Sequence, residues 1–331
     1  MKAFEYAAPT TVEDAVRLLD GPNAVALSGG VDLIGRMKDY VTSPDRVVYL
    51  KDIQDLAGIS GDPQAGGLTI GAGTRLADIV AHAGIRASYP ALWQATVEVG
   101  SVQIRNMSTV GGNLLQRPRC WYYRAGFGLL AIKDGQSLVR AGDNRYHSIF
   151  LTNGDALFVS PSSLAVALSA LDAQATIRGP RGERTVKVED LYQVPRRETD
   201  SELTIQPGEV LSKVILPAAR GKSASYEARQ KQAQDWPLVL ASVNLMMDNQ
   251  TVSAAKVVLY GVAPIPWRSQ AAERAITGKP VTVESAAAAG EAAVEGAAPL
   301  SMNAYKVPLT RAVVKRALLR ALNPKGYWEE A

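Results

Sequence analysis

The chain has 331 residues, a formal net charge of +4, one cysteine and two histidines, and 47% of it is hydrophobic. That length exceeds one ordinary core, so two or three domains are expected. Scattered charge argues against a nucleic-acid partner, apolar runs such as 238–247 fall short of a bilayer span, and the lone Cys120 excludes an intrachain disulfide framework or an all-thiolate iron–sulfur cluster held by this chain alone. His82 and His147 stand far apart, so neither a zinc spacing nor a Ser-His-Asp or Cys-His set is visible.

Residues 1–6 run toward a helix capped by the segment Thr10-Thr11-Val12-Glu13-Asp14, with carboxylates in its first turn and its end near Leu19. Strands are predicted at 24–27 and 46–50, closing a small α/β unit near Leu56. A strand at 68–72 follows. Thr74 then caps a helix through Ala83, and Pro90 opens another through Val99. A strand is predicted at 152–160, and Pro161-Ser162-Ser163 starts a helix to Leu171. Segments 173–178 and 183–188 flank Gly179-Pro180-Arg181-Gly182, a hairpin signal. A strand at 210–217 precedes a linker at 220–223. Two antiparallel strands, 239–247 and 254–260, surround Asp248-Asn249-Gln250. Helices are predicted at 267–277, 285–298 and 310–322. This mixed order argues for an α+β or mixed α/β fold, not a parallel barrel.

Two glycine pairs interrupt this pattern: Leu27-Ser28-Gly29-Gly30-Val31-Asp32-Leu33 and Ser108-Thr109-Val110-Gly111-Gly112-Asn113-Leu114. Taken singly, a Gly-Gly is a plain turn. Adjacent glycines also admit φ > 0 and let a ligand approach the backbone closely. Successive free N–H groups then make an anion-binding concavity. Two such loops suit a ligand with two phosphates, such as a dinucleotide. Neither matches the Rossmann or Walker spacing.

The segment Gln103-Ile104-Arg105-Asn106-Met107-Ser108-Thr109-Val110-Gly111-Gly112-Asn113 resembles the second FAD-binding loop of the flavin subunits of molybdenum hydroxylases, the xanthine dehydrogenase and aldehyde oxidase family. Residues 27–33 resemble their first loop. The likeness extends through Phe4-Glu5-Tyr6, Thr11 to Ala15, Gly261 to Arg268, and Asn303 to Val307, and so covers nearly the whole chain. It implies a two-part FAD-binding domain of the PCMH/vanillyl-alcohol-oxidase-like type, with subdomains at 1–56 and 57–220. A small C-terminal α+β domain with an antiparallel sheet would occupy 221–331.

The resemblance implies that Leu27, Ser28, Gly29, Gly30, Val31, Asp32 and Leu33 form one side of an FAD site. The N–H groups of Ser28, Gly29, Gly30, Val31 and Asp32 would face the phosphates, with the Asp32 side chain turned away to hold the loop. Ser108, Thr109, Gly111, Gly112 and Asn113 would hold the flavin end and the diphosphate. Lys38 is a candidate for phosphate or ribose, against its reading as a solvated lysine. Leu114 and Leu115 read as core, and Arg105 and Asn106 as shaping the loop. Tyr122 and Tyr123 read as packing residues before flavin-stacking ones.

Three departures from the family pattern stand out. Residues 116–124 resemble a branch in which an insertion carries four cysteines and a [4Fe-4S] cluster, but only Cys120 is present. No [4Fe-4S] cluster is therefore expected, Cys120 reads as a small buried hydrophobe, and 125–148 as a remnant loop. A Pro-Ser-Asp turn is replaced by Pro161-Ser162-Ser163, leaving Ser163 a hydroxyl contact to the ribose. Glu227 stands where a lysine commonly follows the aromatic, so Arg229 or Lys231 would supply positive charge near the flavin.

The resemblance further implies an electron-transfer subunit, close to the bacterial aldehyde-oxidising branch. A large partner would carry the molybdenum cofactor and a small partner two [2Fe-2S] clusters. FAD here would pass electrons to NAD, oxygen or a quinone, with no catalytic acid or base in this chain. The alternatives are a stand-alone FAD-dependent oxidase, for which the stretch after 220 is short of a substrate cap, and a flavin-free structural subunit. With no signal peptide visible in residues 1–6, the cytoplasm is the default location. The periplasm stays open if a partner carries an export signal.

Overall fold

The computed structural model describes residues 1–231 and 233–327. In the first unit a parallel sheet is built from β1 (Glu5–Ala7), β2 (Ala24–Leu27) and β3 (Arg46–Tyr49), with β3 central. Helix α1 (Val12–Leu19) is capped by the Thr11 hydroxyl, which accepts from the Asp14 N–H, and it buries Val12, Ala15 and Leu19. Helix α2 (Leu33–Lys38) leaves the first glycine pair directly. Residues 5–7 are a strand because β3 offers them an edge, where the sequence reads as the approach to a helix.

The second unit is an antiparallel sheet in the order β4-β5-β10-β8-β9. Its first strands are β4 (Ile59–Asp62) and β5 (Gly67–Gly71). Five short helices follow: α3 (Leu76–Ala81), α4 (Ala83–Ser88), α5 (Pro90–Val97), α6 (Val102–Met107) and α7 (Val110–Leu114). Thr74 caps none of them. Its hydroxyl donates to the Gly58 carbonyl and accepts the Gly58 N–H, tying the turn before β4 to the end of β5. The predicted single helix to Ala83 is two helices, because the His82 ring accepts the Ile85 N–H and starts a new one.

Residues 116–148 are ordered structure and not a bare remnant loop. They hold α8 (Trp121–Arg124), the hairpin of β6 (Ile132–Lys133) and β7 (Gln136–Ser137), and α9 (Leu138–Ala141). Tyr123, Leu129 and Leu130 form a small core with Ala156 and Phe158. The predicted strand at 152–160 does not form: residues 152–155 are turn and bend, and 156–160 join no sheet. Helix α10 (Ser163–Ala170) is capped by Ser162 and buried throughout. The hairpin of β8 (Gln174–Gly179) and β9 (Gly182–Lys187) forms where its turn residues stand, and β10 (Val210–Leu216) pairs with both β5 and β8.

The last sheet runs β11-β12-β13-β14. Strands β12 (Val239–Asp248) and β13 (Thr251–Tyr260) are the predicted pair. The predicted linker instead enters β11 (Lys222–Ala228), whose small polar residues carry no apolar alternation. Its Ser225 hydroxyl donates to the Ala91 carbonyl and lies 2.6 Å from the Ser242 hydroxyl, so tertiary hydrogen bonds make it a buried strand. Trp267 opens β14 (Trp267–Arg268) against β13, and α11 (Gln270–Ile276) begins later than the periodicity suggests. Helix α12 (Val283–Ala292) ends earlier, while α13 (Lys306–Leu322) takes Pro308 into its first turn, where a missing N–H costs nothing.

The run 239–245 is buried on both faces. Leu240 joins the core of the second unit, while Val239, Ala241, Val243 and Leu245 face a second core with α13. A strand covered on both sides reads as continuous hydrophobicity.

The start of α13 is clamped onto 144–148. The Asn303 amide donates to the carbonyls of His147 and Ser148, and Asn144 bonds Ser301 and Met302. Lys306, 1% exposed, donates to the carbonyls of Tyr146, His147 and Gly261. Three carbonyls match three ammonium protons. Replacing it by Lys306→Met leaves those acceptors buried without donors. Chemical denaturation should report a loss of about 3 kcal/mol; an unchanged midpoint would refute the clamp.

Candidate flavin site

A cavity of about 360 Å³ opens where the first unit meets the second. Both glycine segments line it. Ser28, Gly29, Gly30, Val31, Asp32 and Leu33 form one wall, and Ser108, Thr109, Gly111, Gly112 and Asn113 the facing one. Ser163 closes an end. The two walls touch through the hydroxyls of Ser28 and Thr109, 2.8 Å apart across 81 residues of sequence.

Each glycine is required for its own reason. A Cβ on Gly29 would lie 2.1 Å from the Met107 carbonyl oxygen at the end of α6. Gly30 has φ of +73°, and it alone of the four takes a left-handed backbone. Gly111 and Gly112 are helical, in the first turn of α7. A Cβ on Gly111 would lie 3.0 Å from the Ala72 side chain, and its N–H donates to the Ala72 carbonyl. Thr109 caps α7 by accepting the Gly112 N–H. The second pair is therefore a helix start pressed on the end of β5, and the expected φ > 0 is absent there.

The N–H groups from Ser28 to Asp32 have no acceptor among the described residues. Successive donors left free on a concave wall mark a place for a ligand's oxygens. Asn113 is held by Ser162, whose hydroxyl donates to its Oδ1 at 2.7 Å, leaving the amide N–H groups.

The Asp32 carboxylate is taken up by neighbouring arginines and backbone. It accepts from Arg36 Nε at 3.1 Å, Arg124 at 2.7 Å and the Arg117 N–H at 3.1 Å, and Arg119 stands 3.2 Å away. Burial would raise its pKa, but Arg119, Arg124 and Arg36 outweigh that and hold the carboxyl below its usual range. Three guanidinium groups on one carboxylate leave net positive charge beside the free N–H groups, which suits a diphosphate. Arg36 and Arg119 both line the cavity. Arg119 also donates to Gln116 and lies 4.7 Å from the Trp236 ring centroid. Sequence reading passed over Arg36 and Arg119, whose only signal is closeness to the two loops.

The other expected contacts are placed elsewhere. Leu27 packs into the core beneath α2. Lys38 is exposed at the end of α2, outside the cavity wall, because the helix turns it away while Arg36 points in. Arg229 lies between Glu98 at 2.6 Å and Glu227 at 3.0 Å, behind the wall. Burial pushes Glu227 up to about 7. Lys231 lines a second cavity of about 360 Å³ that shares Arg119, Pro161, Asp235, Trp236 and Pro237 with the first. Arg105 shapes the loop by donating to the carbonyls of Val99 and Gly100. Leu114 and Tyr123 are core residues. Cys120 is half-buried, with its sulfur 3.2 Å from His147 Nε2, so it is more than a filler of apolar space.

The matches to known proteins agree with this geometry. Residues 2–219 match the FAD binding domain in molybdopterin dehydrogenase, and residues 224–321 the CO dehydrogenase flavoprotein C-terminal domain. The chain belongs to the family of FAD-binding medium subunits of molybdenum hydroxylases, and is thus an oxidoreductase subunit. It is 30% identical to the aldehyde oxidoreductase FAD-binding subunit PaoB of Escherichia coli, over 97% of this chain and 99% of that one. It is 28% identical to the carbon monoxide dehydrogenase medium chain of Hydrogenophaga pseudoflava, over 95% and 96%. The solved structure of carbon monoxide dehydrogenase from that organism aligns with a TM-score of 0.75 at 26% identity, over 97% of each chain.

Two predictions follow from this geometry. Gly29→Ala should lower stability by about 3 kcal/mol, since backbone must move to admit the Cβ. Gly35→Ala, with open space around it, should be neutral or stabilising. Thermal melts of both variants check this, and equal melting temperatures would refute it. The second prediction concerns His147, whose pKa falls from 6.5 to about 4 through burial and then the Lys306 charge. The unfolded chain takes up this proton near pH 6.5 and the folded one does not. Stability is therefore full above pH 6.5 and falls between 6.5 and 4, by up to about 3 kcal/mol. His147→Gln should lack that part of the pH dependence in urea titrations.

Proposed function

We propose that this chain binds FAD between its two glycine segments and serves as the electron-transfer subunit of a molybdenum-containing hydroxylase. The observation that carries the reading is the wall of free N–H groups at Ser28 to Asp32, backed by arginines and facing the hydroxyl of Thr109. These groups fit a diphosphate. Ser28, Gly29, Gly30, Val31 and Asp32 would hold it by backbone, with Thr109, Asn113 and Ser163 adding side-chain hydrogen bonds. Bound FAD supplies the conversion between one-electron and two-electron transfer. The chain's own part is placement: Asp32 fixes the arginines, Gly29 admits the close backbone approach, and the apolar walls exclude water.

Electrons would come from [2Fe-2S] clusters in a small partner, fed by a molybdenum cofactor in a large one, and leave to an external acceptor. The likeness to PaoB favours an aldehyde-oxidising complex. Among the described residues no helix is long and apolar enough to cross a membrane. A flavin-free structural subunit would not need the free N–H groups, and a stand-alone oxidase would turn over substrate without partners.

The purified chain should show a flavin spectrum that is released as FAD, and tagged chain expressed with its neighbours should retain a large and a small subunit. A colourless protein that takes up no added FAD would overturn the cofactor assignment. Substrate turnover by the isolated chain would favour the oxidase. Thr109→Val should weaken FAD binding about tenfold, one hydrogen bond's worth, in dialysis against FAD.

A further inference from the structure

Charge is not spread evenly around the FAD cavity. On the Asp32 side one carboxylate stands among three guanidinium groups. Just past the end of β11 the ratio is reversed. Arg229 donates to Glu98 at 2.6 Å, and its Nε lies 3.0 Å from Glu227 Oε1, so two carboxylates share one cation. Glu98 directly follows α5 and lines the cavity, with its side chain 43% exposed. Glu227 is joined to it through Arg229, and its own side chain is 9% exposed.

The inner carboxylate is poorly served. Its Oε1 is buried and accepts no hydrogen bond from any described residue, because the Arg229 Nε–H is misaligned for one. From α13, Arg320 adds a positive charge but donates to the Ser225 carbonyl. From β13 comes the neutral phenol of Tyr260, and the residue opposite on β12 is Leu240, which carries no charge. A buried acceptor without a donor is costly as an anion, and a proton relieves it. Burial pushes this carboxyl up to about 7, helped by the Glu98 charge and opposed by Arg229 and Arg320.

We propose that Glu227, joined through Arg229 to Glu98 on the cavity wall, takes up a proton when the flavin of this chain is reduced and releases it on reoxidation. The proposal rests on the FAD reading and adds a proton to its electrons. Two electrons enter the flavin. Beyond any proton that the flavin itself binds, one from water forms an O–H bond on Glu227, and no other bond changes. The cause is electrostatic. Reduction to the anionic form adds negative charge in the cavity, and a unit charge about 10 Å away through protein changes a proton affinity roughly tenfold. Well below pH 7 Glu227 is already protonated beside oxidised flavin, so nothing is taken up. Above pH 7 reduction draws the proton in, and the flavin potential falls more steeply with pH.

The test uses the full chain loaded with FAD, its flavin content measured first, so failure of the FAD reading shows before any proton is counted. Midpoint potentials are measured from pH 6 to 9 for this chain and for Glu227→Gln. The two should nearly agree at pH 6. By pH 9 reduction should be favoured roughly tenfold in the variant, about 30 mV for two electrons. Glu98→Gln removes the like charge and keeps the buried carboxyl, so it should move the steep region to lower pH. A second measurement needs no variant. Electrochemical reduction through methyl viologen, which binds no proton, is followed with an indicator dye in weakly buffered solution at pH 7.5. The chain should take up more protons per flavin than free FAD does. Potential curves that stay parallel between the chain and Glu227→Gln, or proton uptake no greater than that of free FAD, would each overturn the proposal.

Discussion

The site depends on a backbone contact that permits no side chain. Gly29 lies against the Met107 carbonyl so closely that a methyl group would overlap it. That contact sets the spacing between the first parallel sheet and the helices α6 and α7. The Ser28–Thr109 hydrogen bond then fixes the lateral position. A cavity between two units survives only if their separation is rigid, and here backbone packing supplies that rigidity.

Around this contact the charges are arranged so that an acidic residue helps an anion site. An Asp32 carboxylate left unpaired on the cavity wall would repel an anion. It is drawn back by Arg36, Arg119 and Arg124, whose combined charge exceeds its own. Arg119 extends this cluster to Trp236, on the wall that the two cavities share. The C-terminal unit supports the same region from behind through Lys306 and Asn303, which hold the 144–148 backbone.

Arg311, Lys315, Arg316 and Arg320 make α13 a basic helix. In the fold Arg316 bonds the Tyr226 hydroxyl, Arg320 the Ser225 carbonyl, and Arg311 pairs with Glu291. Three of the four secure the helix to its own protein.

Much of the architecture was legible in the residues. Thr11 and Ser162 mark helix starts, Gly179 to Gly182 marks a hairpin, and the glycine pairs mark the site, because each is a local rule of backbone geometry. The motif resemblance carried the family and the flavin. What only the tertiary structure decided are features that arise between distant segments. Strand β11 is polar and becomes a strand through α5 and β12. Arg36 replaces Lys38 at the wall through the helix phase, and Gly111 serves the end of β5. Cys120 meets His147 only because α13 folds the 144–148 segment back. Local sequence encodes which conformations a segment can take; burial, charge pairing and cavities depend on what packs against it from elsewhere in the chain.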